Sequence, residues 1–133
     1  MSTPSDLLAR ARTFAADIAP RSAEIEAAGR IPPDVSRRMG DAGFYRLYVR
    51  RELGGLEVSP REGAEIVEAI ARGDAACAWV TFIAITTTLA FGRLSADAVS
   101  EMMARPDSLA TGVFAANGRA ERAPGGFRVS GRW

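Results

Sequence analysis

The sequence predicts a mainly α-helical domain over residues 1–106, giving way over 107–133 to the first strands of a β module. Three observations carry that expectation. Apolar residues recur at helical spacing behind recognisable helix starts. Residues 75–91, AACAWVTFIAITTTLAF, run on with neither a charge nor a proline, a length that suits a helix and not a strand. Beyond Pro106 the texture changes to short apolar runs separated by Asn117-Gly118 and Pro124-Gly125-Gly126, which is strand-and-turn composition.

The first helix starts at Thr3-Pro4-Ser5-Asp6, with threonine as cap, proline at the first helical position and an acid near the positive end of the dipole. Leu7, Ala11, Phe14, Ala15 and Ile18 then share one face. Pro20 lacks an amide proton and clashes with the preceding turn, so a break is expected there, with the helix resuming over 22–28 and closing at Gly29. Ile31-Pro32-Pro33-Asp34 opens a shorter helix that buries Val35, Met39 and Ala42 and stops at Gly43, a left-handed terminator. Residues 44–49, FYRLYV, read as an extended crossing segment pinned by its aromatics, followed by a loop hinged on Gly54 and Gly55. Ser59-Pro60-Arg61-Glu62 is a capping box, in which serine and glutamate satisfy each other's backbone amides. The helix behind it is expected to bury Gly63, Ile66, Val67, Ile70 and Ala71. On its outer face Arg61 precedes Glu65 by four residues and Glu68 precedes Arg72 by four, a solvated ion-paired surface and not a pair of catalytic carboxylates.

Gly73 ends that helix and Asp74 caps the charge-free run. A membrane span needs about 20 strongly apolar residues. This run is shorter and includes Thr81, Thr86, Thr87, Thr88 and several alanines, so it is expected to be the central helix of a soluble bundle, covered on nearly every face. A further helix over 95–104 offers Val99, Met102 and Met103 as cover. A strand is expected over 109–114, a turn at Asn117-Gly118, and a hairpin pairing 120–123 with 127–130. Two or three strands cannot close a sheet core, so the chain is expected to be the front of something longer.

Composition narrows the function classes. With 133 residues the chain can bury roughly two thirds of its unfolded surface. Charged residues make up 25% and the net charge is +1, with all 17 basic residues arginine and scattered among acids, so no nucleic-acid partner is expected. Histidine is absent, which removes a Ser-His-Asp triad, histidine-ligated metals and imidazole acid–base chemistry from these residues. The single cysteine, Cys77, excludes an internal disulfide and a multi-cysteine zinc site. The N-terminus shows no basic region followed by an apolar one, so no signal peptide is expected, and a cytoplasmic location follows.

Five segments in fixed order, IAPRSAEIEAAGRIPPDV, DAGFYRL, GGLEVSP, GDAACAWV and GGFRVSGRW, carry a resemblance that covers nearly the whole chain from about Phe14 onward. In their order and spacing they resemble the N-terminal part of the acyl-CoA dehydrogenase superfamily, most of all its flavin-dependent monooxygenase branch, the two-component aromatic hydroxylases. The resemblance implies the N-terminal helical bundle of the acyl-CoA dehydrogenase fold followed by an incomplete β domain, a flavin cofactor (FAD or FMN) completed by regions outside this sequence, a small-molecule substrate, a flavin reductase partner and a homotetrameric parent. It also implies that this segment alone is inactive, with no catalytic residue of its own.

By resemblance, the first β segment touches the flavin, which assigns cofactor contacts to Thr111, Val113, Phe114 and Ala115, and to Trp133 at the end of the GGFRVSGRW strand. Dehydrogenases of the family carry a Thr-Glu-Pro-like turn and a Gly-Ser-Asp there. This sequence has Val113-Phe114-Ala115 and Gly118-Arg119-Ala120, a departure that favours a reduced-flavin monooxygenase acting on an aromatic or polycyclic substrate over an acyl-CoA dehydrogenase oxidising a CH–CH bond with FAD. Some hydroxylase relatives place a histidine in the charge-free helix, where this chain has none. Trp79, Ile83, Thr86 and Thr87 are the candidate substrate-pocket residues, because an apolar pocket with a few hydroxyls suits an aromatic ring. A non-catalytic helical remnant or interaction module is the rival from another class.

Overall fold

The computed structural model describes residues 4–113 and 115–132. Helix α1 (Pro4–Ile18) runs into a 3-10 turn at Ala19–Arg21 and then α2 (Ser22–Ala28), so Pro20 breaks the helix where its missing amide requires. The Thr3 cap expected for α1 lies outside the described residues. Gly29, at φ +60°, closes α2, and Gly43, at φ +86°, lies just beyond α3 (Pro33–Asp41). Arg21 clamps Glu24 and Asp34, tying α2 to the start of α3. Arg38 reaches back from α3 to Asp17 at 2.8 Å, and its guanidinium lies 5.6 Å from the Phe14 ring centroid.

Residues 44–49 form neither a strand nor an extended crossing. They wind through successive turns, with Arg46 N–H donating to Gly43 O and Val49 N–H to Arg46 O. The reason is burial from several directions at once: Phe44, Tyr45, Leu47 and Val49 all point inward, and Phe44 meets Phe14 edge-on at 5.5 Å. A coil can present consecutive residues to a core, whereas a strand would send every second one to solvent.

The capping box expected for α4 (Pro60–Ala71) is present. Glu62 N–H donates to Ser59 Oγ at 3.3 Å, and Ser59 N–H donates to Glu62 Oε2 at 2.7 Å. Both outward pairs form, Arg61 with Glu65 at 3.0 Å and Arg72 with Glu68 at 2.7 Å. Ala69, not Ala71, is the alanine that α4 buries, because the core stripe from Gly63 and Ile66 continues through 69 and 70. Helix α4 packs between α1 and α5 (Ala75–Thr88). The principal core includes Leu7, Ile18, Met39, Tyr45, Ile66, Ile70 and Ile85. A smaller cluster of Val49, Phe91, Val99 and Met103 seats α6 (Ala96–Met102), which Ser95 caps through Ala98 N–H. Met102, expected inside, faces out.

Helix α5 departs from its expected all-round burial. Cys77, Ala78, Thr81, Ala84, Ile85 and Thr88 face the core, whereas Trp79 is 63% exposed, Phe82 43% and Leu89, in the 3-10 turn Leu89–Arg93 that follows, 65%. The helical run Ala75–Arg93, with mean hydropathy 1.7, is long and apolar enough to cross a membrane by length and composition. In this fold its inner face is instead packed against α4.

Strands β1 (Arg119–Ala123) and β2 (Gly126–Ser130) form the expected antiparallel hairpin, with Arg122 opposite Phe127 and Ala123 opposite Gly126. Pro124 followed by Gly125 at φ +82° supplies the turn, a glycine being the residue that takes this left-handed position without strain. Phe127 and Val129 lie exposed on one face. Residues 109–113 are not a strand, since no neighbouring strand among the described residues offers them a ladder. Phe114, the last residue of that expected strand, lies outside the described residues. The turn expected at Asn117-Gly118 is a tight bend slightly earlier, closed by Asn117 N–H donating to Ala115 O at 2.8 Å.

Candidate functional site

Two residue types decide where α5 ends and what stands there. Asp74 starts the helix, its Oδ1 accepting from Cys77 N–H at 2.7 Å and its Oδ2 from Ser22 Oγ at 2.7 Å. Burial works to raise the Asp74 pKa, but the hydrogen bonds from Cys77, Ser22 and Ala76 outweigh it and hold the carboxyl below its ordinary value. At the other end the threonines loosen the helix. Thr86 Oγ1 donates to Phe82 O at 2.7 Å and Thr88 Oγ1 to Ile85 O at 2.7 Å, a back-bonding that competes with the helix ladder. The chain then tightens into the Leu89–Arg93 turn.

A groove of about 480 Å³ opens beside this turn. Leu89, Ala90 and Val113 give it apolar walls, Thr86 and Thr87 add hydroxyls, and Arg93 adds a guanidinium. Gly112 brings the other wall close: a methyl group at that position would lie 3.4 Å from Thr87 Oγ1 and 3.5 Å from its Cγ2. Residues 109–113 therefore cross the end of α5 with their backbone groups outside any strand ladder. The volume lies within the usual range of small-molecule sites, about 300–1,000 Å³.

The structure brings together Thr86, Thr87 and Val113, three of the residues proposed from sequence, and joins the substrate-pocket set to the cofactor set in one groove. Trp79 and Ile83 do not line it. Trp79 lies about two helical turns earlier on α5, its ring 5.8 Å from that of Phe82 and tilted by 33°, and Ile83 is half-buried about one turn before Thr87. Thr111 and Ala115 are exposed beside the groove without lining it. Phe114 and Trp133 lie outside the described residues. Sequence reasoning missed Leu89, Ala90, Arg93 and Gly112. The signal was available, since 86, 89, 90 and 93 follow the helical spacing that puts residues on one side, but Arg93 reads in the sequence as a mere flank of the apolar run.

The three threonines divide by role. Thr88 is buried and bonded back to the helix, Thr86 is bonded back while lining the groove, and Thr87 lines the groove with its hydroxyl uncommitted among the described residues. Arg93 likewise has no hydrogen-bond or ion-pair partner among the described residues. A second depression of about 370 Å³ follows the seam between α1 and α4, but its Glu65, Glu68 and Arg72 are already paired, as a solvated surface requires. Among the described residues no group of carboxylates and thiol could hold a metal ion. Cys77 is buried, and its thiol is pushed up to about 12 by burial and by the neighbouring Asp74, which makes it inert as a nucleophile.

Comparison with known proteins gives a consistent set. The acyl-CoA dehydrogenase N-terminal domain family matches residues 3–103. An indole-3-acetate monooxygenase of Pseudomonas putida is 32% identical over 104 residues, which is 74% of this chain and 26% of the relative. A pigment production hydroxylase of Rhodococcus erythropolis is 28% identical over 129 residues, 96% of this chain and 33% of the relative. The oxygenase component of an FADH(2)-dependent resorcinol hydroxylase of a Rhizobium species is 32% identical over 114 residues, 83% of this chain and 27% of the relative. The chain thus spans about a quarter to a third of the length of these curated relatives.

Proposed function

Because the chain belongs to the acyl-CoA dehydrogenase family, as its N-terminal domain, we propose that it forms one wall of the active site of a reduced-flavin monooxygenase that hydroxylates a small aromatic substrate. The observation that carries this reading is the groove at the end of α5, where an apolar floor, an uncommitted Thr87 hydroxyl and the open backbone of residues 111–113 meet. The relatives support the chemistry. All three are named as monooxygenases or hydroxylases, and one of these three as the oxygenase component of an FADH(2)-dependent hydroxylase, which fits a system whose flavin is reduced by a separate reductase.

The residues present fit one edge of a flavin. Gly112 has no side chain to hold a planar ring away, and the neighbouring backbone amides and carbonyls are not consumed by a strand ladder. In this reading Thr111, Val113 and Ala115 meet the cofactor through their backbone groups, with Phe114 and Trp133 as the further contacts that the family resemblance assigns. Bound reduced flavin supplies the two electrons that let one atom of dioxygen enter the substrate while the other leaves as water. The part played by this chain is to bind and orient. Leu89, Ala90 and Val113 remove water from around the substrate ring, and Thr87 offers one hydrogen bond to a ring substituent. No acid or base among the described groove residues moves a proton, so that duty falls to other parts of the enzyme.

The test is a titration of the chain with FAD and with FMN, followed through its backbone amide resonances. Shifts concentrated at 86–93 and 111–115 support the reading, and Thr87→Val should weaken substrate binding severalfold while leaving the fold intact. If millimolar flavin perturbs no groove resonance, or perturbs only the seam between α1 and α4, this chain does not form the flavin wall.

A further inference from the structure

The groove holds one charge that its apolar walls do not explain. Arg93 closes the 3-10 turn after α5, lines the groove beside Leu89 and Ala90, and has no partner among the described residues. Several arginines elsewhere in the fold are spoken for. Arg21, Arg38, Arg61, Arg72 and Arg105 are in ion pairs, and Arg46 donates to the carbonyls of Gly54, Met103 and Arg105. A neutral aromatic ring filling the apolar floor would draw water away from the Arg93 guanidinium and give nothing back, which is unfavourable for a cation. A carboxylate at the end of that ring would return two parallel, charge-assisted hydrogen bonds.

We propose that Arg93 is a specificity-determining residue, and that the substrate taken by this groove is an aromatic acid whose carboxylate pairs with the Arg93 guanidinium while its ring lies on Leu89, Ala90 and Val113. The inference rests on the aromatic-substrate reading of the same groove and adds the charge of the substrate to it. The Thr87 hydroxyl, also uncommitted, stands on the same groove wall as a second donor. A site that hydrogen-bonds a substrate group discriminates strongly against an analogue lacking it, because its own polar groups are left unpaired. Arginine outperforms lysine in this role because its planar fork matches both oxygens at once.

The experiment compares phenylacetate with phenylacetamide, a pair alike in shape and different in charge, on the wild-type chain, Arg93→Gln and Arg93→Lys. Binding is read from the backbone amide shifts of Leu89, Ala90 and Val113. Phenylacetate is expected to bind roughly tenfold more tightly than the amide at low salt, as a charged hydrogen bond at a partly exposed site allows. The preference should fall to within about twofold in Arg93→Gln, be partly kept in Arg93→Lys, and shrink in high salt. Arg93 is exposed and holds no structural contact, so both variants are expected to keep the wild-type resonance pattern elsewhere.

Equal binding of acid and amide at the groove would overturn the proposal while leaving the aromatic pocket standing. Absence of groove shifts with either ligand would overturn both. Survival of the acid preference in Arg93→Gln would place the recognising cation elsewhere and overturn it as well. A parallel comparison of FMN with riboflavin covers the remaining source of an anion. If FMN binds the groove more tightly than riboflavin and Arg93→Gln removes that difference, the guanidinium serves the flavin phosphate and the substrate assignment is wrong.

Discussion

Asp74 is the point where the stability of α5 can be changed without touching the groove, and its contribution can be worked from its contacts. The carboxylate caps the helix through Cys77 N–H at 2.7 Å and accepts from Ser22 Oγ at 2.7 Å, and the residue is only 5% exposed. Losing a cap of this kind costs about 1 kcal/mol, and stranding a partner hydroxyl adds about 1 kcal/mol more. Asp74→Ala is therefore expected to lose roughly 2 kcal/mol. For a chain of 133 residues the unfolding entropy is about 0.28 kcal/mol per kelvin, so the midpoint should fall by roughly 7 °C. Asp74→Asn keeps an oxygen that can accept from Cys77 N–H and should lose less than half as much. The two differ in pH response. The hydrogen bonds hold the Asp74 pKa below its unfolded value of about 3.9. Its ionisation thus stabilises the fold in full above that value, and the benefit disappears as pH falls through the lower, folded pKa. Urea unfolding at pH 7 and pH 3 should show the gap between wild type and Asp74→Asn narrowing at the lower pH. A loss under 0.5 kcal/mol for Asp74→Ala (order of magnitude set by the weakest measured caps), or equal losses for alanine and asparagine, would refute the capping account.

Two further outcomes follow from close packing and from burial. Gly73→Ala would place a methyl 2.3 Å from Ala15 O and 2.6 Å from Ala15 Cα, a clash with the α1 backbone that should cost at least about 2 kcal/mol, whereas Gly92→Ala meets open space and should stay within about 0.5 kcal/mol of wild type in the same urea titration. Cys77, fully buried with its thiol pushed up to about 12, should react with a disulfide reagent at pH 8 only as fast as the chain opens and at once in denaturant; stoichiometric labelling of the native chain within seconds would contradict its burial.

Much of this fold was legible because its signals are local. Ser59 and Asp74 cap α4 and α5 as their side chains suggest, and Pro20, Gly29 and Gly43 interrupt or end elements for reasons contained in the residue itself. The errors arose where the answer depends on neighbours distant in sequence. Residues 44–49 have strand composition but sit where the core surrounds them, so they wind through turns. Residues 109–113 have strand composition and no partner strand among the described residues. An apolar run without periodicity, such as α5, also carries no record of which face will be covered, and Trp79 and Phe82 turned outward. The groove was half visible for the same reason. Thr86, Thr87 and Val113 announce themselves by type, whereas Arg93 and Gly112 gain their meaning only when two segments about 20 residues apart are brought together.

The threonines at the end of α5 connect the helix's stability to its use. Back-bonding by Thr86 and Thr88 weakens the last turn of an α-helix, and here that turn passes directly into the tighter Leu89–Arg93 segment. The tightening advances the chain by a different angle per residue, since a 3-10 turn has three residues per turn where an α-helix has 3.6. Phe91 continues the buried stripe of α5, whereas Leu89, Ala90 and Arg93 stay on the side that Thr86 begins and line the groove with Val113. Thr87, between the two back-bonded residues, is the one hydroxyl of the three that this arrangement leaves for a ligand. Replacing the trio together would therefore mix a change in helix geometry with a lost contact, whereas Thr87→Val alone separates binding from shape.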